Sequence, residues 1–295
     1  MTSISDRHLL DHAQRSKEKV VVITGGGSGI GKETAIQFAG YGAKIIIGDR
    51  DLASAEAVAK EISSSGGQAI AVKCDVTVWE DLVEMYEKAI ESFQVVDIVV
   101  VNAGVGEIGG CCKPGPIELD ERGKPKKPGM TTVNINLIGV LYTAHLAQHY
   151  LLVNRADATS LKAVVFIGSI ASWSALHVPV PMYVATKHAV LGLMRSLDAH
   201  NFKSLNIRTA SIHPFYTDTP LIPKASRTFF AGIPLVTPSR VAGAIIHACT
   251  NPDPATSGGA YWSPGPGDTF FISREGFKLG VYKEIDKRSN ALLRR

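Results

Sequence analysis

Short runs of consecutive apolar residues recur along the chain, and longer stretches with helical periodicity lie between them. Runs that are rich in β-branched residues and end at Gly, Asn or Asp predict strands that are buried on both faces. There are seven such runs: KVVVIT (19–24), AKIIIGD (43–49), QAIAVKCD (68–75), VDIVVVN (96–102), KAVVFIGS (162–169), NIRTASIH (206–213) and GGAYWS (258–263). We expect the last of them to be an edge strand.

The stretches between the runs place their apolar residues on one helical face. They predict helices at residues 29–41, 54–62, 78–93, 131–153, 182–200 and 238–250. Alternation of strands and helices implies parallel pairing with right-handed crossovers. The pattern therefore predicts an α/β fold, a single-domain Rossmann-type doubly wound parallel sheet of about seven strands with helices on both faces.

The alternation divides the chain into one domain and two extensions. Residues 19–262 form the predicted domain, residues 1–18 an N-terminal extension with a short helix, and residues 263–295 a C-terminal extension. Inside the domain, segments 103–130 and 213–237 are irregular and rich in Gly or Pro. Each follows the carboxyl end of a strand, where ligand crevices lie in open α/β sheets, so both are predicted to be substrate loops.

Composition narrows the classes of partner. The 295 residues are 45% hydrophobic and 20% charged, and a net charge of +4 without a basic cluster argues against a nucleic-acid surface. The longest apolar-leaning stretch, 133–153, contains two Asn, two His and a Gln, which argues against a membrane span. The polar first twenty residues show no secretory signal, and four Cys form neither a disulfide framework nor a zinc spacing. We expect a cytoplasmic protein without a metal site.

The stretch TGGGSGIGKE (24–33) joins the first predicted strand to the first helix. Its glycines allow backbone N–H groups to approach a phosphate, and the start of the helix adds partial positive charge. The stretch fits two motifs. Gly26 to Lys32 matches the core of a nucleoside-triphosphate P-loop, whereas Gly25, Gly29 and Gly31 match the spaced glycines of a dinucleotide-binding turn.

Two acidic residues favour the dinucleotide. Glu33 follows Lys32, where a P-loop carries a Ser or Thr that binds Mg²⁺. Asp49 ends the second strand eighteen residues after Gly31, near the place where an acidic residue holds a pair of ribose hydroxyls. Asp49 alone does not decide, because a P-loop enzyme could use the same carboxylate as a second metal ligand.

A tyrosine and a lysine in the second half of the chain supply candidate chemistry. Tyr183 and Lys187 are four residues apart and share one helix face. Their helix follows the strand that ends at Ser169, so all three are expected on the rim beside the glycine turn. A phenol with a pKa of about 10 is a poor base at neutral pH. A neighbouring ammonium, together with a cationic nicotinamide, would favour the phenolate and lower that pKa, which makes Tyr183 a candidate proton acceptor.

Taken together and in order, seven motifs make the chain resemble the short-chain dehydrogenase/reductase family across about residues 19–262. They are TGGGSGIG (24–31), CDV (74–76), NAG (102–104), NINLIG (134–139), GSIAS (168–172), YVATK (183–187) and HPFYTDT (213–219). The resemblance implies a dinucleotide-binding catalytic domain that transfers a hydride between nicotinamide and a secondary alcohol or ketone. It also implies a homodimer or homotetramer paired through the helices at 131–153 and 182–200.

The resemblance assigns four catalytic residues. Tyr183 would exchange the proton with the substrate oxygen, and Lys187 would bind the nicotinamide ribose and lower the pKa of Tyr183. Ser169 would hydrogen-bond the substrate, with Ser172 as its competitor. Asn136 would join a water-linked proton relay with Lys187, and Asn134 is its rival.

The resemblance also implies the cofactor contacts, in which NAD is predicted rather than NADP. The Asp49 carboxylate would accept two ribose hydroxyls and repel a 2′-phosphate, although Arg50 could soften this repulsion. Ser28 also lacks the basic side chain that is common in NADP-preferring members. The predicted set is Gly25, Ser28, Gly29, Ile30, Gly31, Asp49, Arg50, Asp75, Val76, Asn102, Ala103, Gly104, Tyr183, Lys187, Pro214, Tyr216, Thr217 and Thr219.

Three further expectations follow. Phe215 stands where family members usually carry Gly, so it would narrow the nicotinamide pocket or reshape the next loop. The predicted substrate wall at 104–115, 175–182 and 215–233 is largely apolar, with His177 as a polar handle, which favours a hydrophobic substrate. Phe270 and Phe271 would dock on a neighbouring subunit or cover the site. The alternatives are a catalytically silent dinucleotide-binding scaffold and an NADP-dependent carbonyl reductase.

Overall fold

A computed structural model describes most of the 295-residue chain. The described residues are 1–112, 114–155, 157, 159–174, 176, 179–222, 232, 234–265, 267–277, 279 and 283–284. The strands are β1 (Thr2–Ile4), β2 (Val20–Thr24), β3 (Lys44–Asp49), β4 (Gln68–Lys73), β5 (Ile98–Val101), β6 (Ala163–Ile167), β7 (Arg208–Pro214), β8 (Gly259–Ser263) and β9 (Thr269–Ile272). The α-helices are α1 (Gly29–Gly40), α2 (Leu52–Ser64), α3 (Trp79–Phe93), α4 (Thr131–Val133), α5 (Val140–Tyr150), α6 (Pro181–Leu197) and α7 (Pro238–Thr250).

One twisted sheet contains all nine strands of the described part, in the order β1-β9-β8-β7-β6-β5-β2-β3-β4. The pairs from β4 across to β8 are parallel, whereas β9 pairs antiparallel with both β8 and β1. The predicted Rossmann-type fold is confirmed, and all seven predicted strands are present. The expected count of about seven was too low, and β8 is an interior strand because β9 and β1 continue the sheet beyond it.

Helices cover both faces of the sheet, which explains the consecutive apolar residues of its strands. Along β2, Val21 and Ile23 face a buried cluster shared with α1, α2 and α7. Val20 and Val22 face a second cluster shared with α3, α5 and α6. Because successive strand side chains point to opposite faces, a strand between two helical layers needs apolar residues at every position.

Each of the two predicted extensions contributes one strand to the sheet. Residues 7–15 do not form one helix; the N-terminal extension contains β1 and two 3₁₀ turns, Asp6–His8 and Ala13–Ser16. In β9, the Phe270 ring stacks on Trp262 at 5.5 Å, and the Phe271 ring lies 5.1 Å from Tyr261. Both phenylalanines therefore pack on their own sheet, where their rings stay half-buried, and contact with a neighbouring subunit stays a prediction.

The predicted helix at 131–153 is not α-helical along its whole length. Its α-helical parts, α4 and α5, are joined by a π-helical stretch, Asn134–Gly139. Such π segments widen a helix by one residue per turn and are frequent at functional sites. Asn136 lies in this segment and is fully buried, whereas Asn134 is exposed.

The order of the strands places a crevice beside β2. From β2 the chain moves outward through β3 and β4, then returns to place β5 on the other side of β2. The connections after β2 and β5 therefore leave the sheet in opposite directions, and a ligand crevice opens at the carboxyl ends of these strands. The glycine turn follows β2 and the Asn102–Gly104 segment follows β5. No helix in the described part of the chain is both long and apolar enough to cross a membrane.

Candidate functional site

The glycine turn packs too closely for side chains. Gly25 and Gly29 have φ values of +65° and +53°, a region that favours glycine. A Cβ on Gly31 would lie only 2.2 Å from the carbonyl oxygen of Gly25, so the first turn of α1 rests directly on the loop. Ser28 precedes α1 and makes no side-chain hydrogen bond to it. The first N–H groups of α1 are therefore available to an anion, and Ile30 lies among them.

Asp49 lies directly beside this turn. One carboxylate oxygen accepts the Gly27 N–H at 2.9 Å, and the other accepts the Asp51 N–H at 3.0 Å. Arg50 follows it with an exposed side chain. Lys32 pairs with Glu61 at 2.8 Å on the outer side of α1, as expected for a lysine that does not hold a phosphate.

The Asn102–Gly104 segment braces the turn from the other side. Asn102 Nδ2 donates to the carbonyl oxygens of Thr24 and Gly25, both at 2.9 Å. The Ala103 N–H donates to the Thr24 hydroxyl at 3.2 Å. Asp75 and Val76 of the predicted cofactor set lie after β4. Asp75 accepts the Thr77 N–H, and Val76 is buried.

Tyr183 and Ser169 meet at the carboxyl ends of the strands. Ser169 caps the 3₁₀ turn Ile170–Ser172, and its hydroxyl accepts the Ala171 N–H at 3.2 Å. The Ser169 side chain lies beside the Tyr183 phenol, close enough to interact with it. Ser172 instead accepts the Ser169 N–H at 3.3 Å, so it supports its neighbour. The geometry favours Ser169 over Ser172 as the partner of Tyr183.

Burial has the largest effect on the pKa of Tyr183. Desolvation raises the pKa of Tyr183, the interaction with Ser169 offsets part of that rise, and the nearby Tyr216 adds to it. The protein's own groups therefore raise this pKa, whereas the predicted lowering also depends on a cationic nicotinamide and stays a prediction. Burial removes the water that would stabilise the phenolate, and the groups of the protein replace that stabilisation only in part.

Lys187 and Asn136 converge on the same point as Tyr183. The Lys187 Nζ lies 5.6 Å from the centre of the Tyr183 ring and donates to the Ile167 carbonyl oxygen at 2.9 Å. Burial lowers the pKa of Lys187 to about 8. A Cβ on Gly104 would lie 3.3 Å from Asn136 Oδ1 and 3.7 Å from Lys187 Nζ, so these three residues are neighbours. The exposed Asn134 has no part in this cluster.

The loop after β7 lies over the glycine turn. The side chain of Thr219 is 3.2 Å from the place where a Cβ on Gly29 would stand. Phe215 packs against the apolar cluster of α1 and α7, with its ring 4.8 Å from Tyr216. The bulky residue after Pro214 is therefore accommodated against the core. Thr217 pairs with Val236 across the loop.

Part of the predicted substrate wall lies outside the described residues. This part comprises positions 113, 175, 177, 178, 223–231 and 233, and it includes His177. The described remainder of the wall contains Tyr216 on the β7 loop and Glu107 on the β5 loop.

His213 supports the site, a role that the sequence does not predict. Its ring is fully buried, with Nδ1 3.1 Å from the Ser169 carbonyl oxygen and Nε2 2.7 Å from the Ser211 hydroxyl. Since a carbonyl only accepts, Nδ1 carries the proton and Nε2 accepts from Ser211. The ring also excludes any side chain at Gly168, where a Cβ would lie 2.4 Å from Nδ1. Only the tertiary structure reveals that His213 holds the main chain of Ser169.

His213 should make the protein acid-sensitive. Burial lowers the pKa of His213 to about 3, whereas an unfolded chain binds the proton near 6.5. The unfolded state therefore carries more protons between these values, and the free energy of unfolding falls as pH falls, by up to about 1.4 kcal/mol per pH unit. Because His213→Asn lacks this proton, urea unfolding at pH 7, 6 and 5 should show the gap to wild type closing in acid. His145→Asn, on an exposed side chain of α5, is the control, and parallel curves for wild type and His213→Asn would contradict the assignment.

Comparisons with known proteins find related sequences and a related fold. The sequence profile of the family described as short chain dehydrogenase matches residues 19–228. A cyclohexanol dehydrogenase from Acinetobacter sp. strain SE19 is 33% identical over 211 residues, which are 71% of this chain and 77% of that protein. A 5′-hydroxyaverantin dehydrogenase from Dothistroma septosporum is 30% identical over 213 residues, 68% of each chain. The crystal structure of a 3-ketoacyl-(acyl-carrier-protein) reductase from Brucella melitensis, complexed with NADH, superposes with a TM-score of 0.70 at 27% identity and covers 83% of this chain and 96% of that one.

Proposed function

The chain belongs to the short-chain dehydrogenase family of oxidoreductases, and on that premise we propose that it interconverts a hydrophobic secondary alcohol and its ketone with NAD(H). The observation that carries the proposal is the convergence of Tyr183, Ser169, Lys187 and Asn136 beside the glycine turn. A phenol, a hydroxyl and an ammonium at one rim can orient a carbinol and move its proton.

The residues around the turn suit a dinucleotide. The glycine turn excludes side chains from the place where a pyrophosphate would rest, and the first N–H groups of α1 point toward it. The Asp49 carboxylate would hold the adenosine ribose, and Lys187 the nicotinamide ribose. When bound, nicotinamide supplies the acceptor or donor of the hydride.

The protein's own groups would handle the proton. In the direction of oxidation, the Tyr183 phenolate removes the hydroxyl proton of the alcohol, while the Ser169 hydroxyl holds the same oxygen. The buried Lys187 lies close enough to favour the phenolate when it is charged. Asn136 is held by Val105, with its Oδ1 and Nδ2 each 2.8 Å from the main chain there, and it would anchor the water-linked relay beside Lys187.

The proposal is tested by a screen for turnover. Secondary alcohols of increasing size are incubated with NAD⁺ or NADP⁺, and the absorbance of the reduced cofactor is followed. Separate fluorescence titrations measure the binding of NADH and ATP. Binding of NADH without turnover on a broad panel of alcohols and ketones would favour a silent scaffold instead.

Asp49→Ala should move the cofactor preference toward NADP. The substitution removes both the acceptor of the ribose hydroxyls and the charge that repels a 2′-phosphate. We expect the ratio of kcat/KM with NAD⁺ to that with NADP⁺ to fall by about a hundredfold or more. Asp51→Ala, two residues on at the start of α2, is the control. A wild-type enzyme that prefers NADP⁺ would contradict the prediction.

We also propose that copies of the chain pair through the helices near α5 and α6, as a homodimer or homotetramer in the cytoplasm. Leu141 is exposed on α5, and the neighbouring Tyr142 packs edge-on against Trp79 at 5.5 Å. Light scattering of the purified chain measures the mass directly, and a monomeric mass would refute this pairing.

A further inference from the structure

The start of α6 is capped by a residue from a distant loop. Glu107 Oε2 accepts the backbone N–H of Tyr183 at 2.8 Å, although the two residues are 76 positions apart. Tyr183 lies in the first turn of α6, where N–H groups have no partner within the helix. Val180, which precedes the helix, makes no side-chain cap. The Glu107 carboxylate thus replaces the local capping residue and also meets the positive end of the helix.

The main chain on both sides of Glu107 is fixed. Val105 exchanges two hydrogen bonds of 2.8 Å with the side chain of Asn136. The buried Thr132 hydroxyl accepts the N–H of residue 108 at 2.7 Å and donates to the carbonyl oxygen of residue 106 at 2.8 Å. Glu107 therefore projects from a segment that is anchored to the π-helical region containing Asn136.

The other carboxylate oxygen of Glu107 has no hydrogen-bond partner in the described part of the chain. This oxygen, Oε1, is also buried. The Tyr183 N–H is thus the one hydrogen bond that holds this carboxylate within the described part of the chain. A carboxylate oxygen that is buried without a hydrogen-bond partner is costly, so the contact with the Tyr183 N–H is the feature of Glu107 that points to a role.

We propose that Glu107 is a positioning residue for the acid/base step: it fixes the main chain of Tyr183 and so sets where the phenol lies relative to Ser169 and Asn136. The inference rests on the proposed function of Tyr183. Through Glu107, the loop after β5 and the start of α6 form one rigid unit. A small displacement of the phenol would slow proton transfer without removing any group that touches the cofactor.

Three variants test the role. Glu107→Ala removes the acceptor, Glu107→Gln keeps an oxygen that can accept the Tyr183 N–H, and Glu91→Ala removes an exposed acid of α3 as a control. Hydrogen exchange of the peptide that contains Tyr183 reports the contact itself, independently of turnover. Steady-state kinetics well below the unfolding temperature and NADH titration report its consequence.

For Glu107→Ala we expect about tenfold faster exchange at Tyr183 and a kcat about tenfold lower, with an NADH Kd within about twofold of wild type. Glu107→Gln should recover both exchange and kcat to within about threefold, and Glu91→Ala should match wild type.

An unchanged kcat in Glu107→Ala, or a Glu107→Gln variant as impaired as Glu107→Ala, would overturn the role. If the wild-type chain turns over no alcohol or ketone, the proposed function fails and the positioning role fails with it. The exchange measurement then still reports whether the cap exists, so the two failures are distinguishable.

Discussion

Tyr183→Phe should lower kcat/KM for alcohol oxidation by about a thousandfold, which corresponds to about 4 kcal/mol of transition-state stabilisation. The substitution removes the one oxygen that can take the substrate proton, and it leaves the ring in its buried position over Lys187. The turn and Asp49 are untouched, so the affinity for NADH should stay within about twofold of wild type. Stopped assays with high enzyme concentrations measure the residual rate, and NADH fluorescence measures the binding.

Tyr142→Phe is the matched control, because it deletes the same oxygen from a tyrosine of α5 that packs against Trp79. It should retain wild-type kinetics. Ser169→Ala should also be impaired, because the phenol loses the hydroxyl that lies beside it. Substantial turnover by Tyr183→Phe would remove the phenol from the mechanism, and Ser169 would then be the group to test.

Gly31→Ala is expected to weaken dinucleotide binding and to destabilise the fold. The new methyl group would stand 2.2 Å from the Gly25 carbonyl oxygen and 2.6 Å from Asn102 Nδ2. Neither the main chain nor the braced Asn102 can move away cheaply, so α1 must shift from the turn. Overpacking of this kind costs about 1–3 kcal/mol or more. We expect the Kd for NADH to rise at least about tenfold, together with a lower free energy of unfolding in urea.

Gly40→Ala provides the comparison within the same helix. A Cβ at Gly40 meets no atom within 4 Å, and alanine is favoured over glycine in helices by about 1 kcal/mol. This variant should bind NADH normally and unfold at equal or higher urea concentration. Equal behaviour of the two variants would show that close contact in the turn does not control binding.

The seven parallel strands could be predicted because burial between two helical layers leaves its mark on each strand separately. β1 and β9 could not be predicted. They contain three and four residues, TSI and TFFI, and their pairing joins Thr2 to Phe271. No local pattern encodes a contact between segments so far apart in sequence. For this reason the predicted strand count was too low, and β8 was wrongly predicted to be an edge strand.

Within the candidate site, the predicted groups come together because their motifs end strands or begin helices at one rim. The structure brings together Tyr183, Ser169, Lys187 and Asn136. It also distinguishes the two asparagines, because Asn136 is buried and Asn134 is exposed. Two features depended on contacts between segments far apart in sequence. The hydrogen bonds of His213 and Glu107 are invisible before folding, and the direction of the Tyr183 pKa shift depends on how completely the phenol is desolvated.

The pairing of β1 with β9 also bears on how the chain is completed during synthesis. β1 leaves the ribosome before the other described strands, yet its partner is made only when residue 272 has been added. Until then β8 is a bare sheet edge, and its apolar rings Tyr261 and Trp262 lack the phenylalanines that later cover them. Exposed edges of this kind invite pairing with other chains. Truncation before β9 should therefore produce a nascent protein that aggregates even though its glycine turn and acid/base residues are intact.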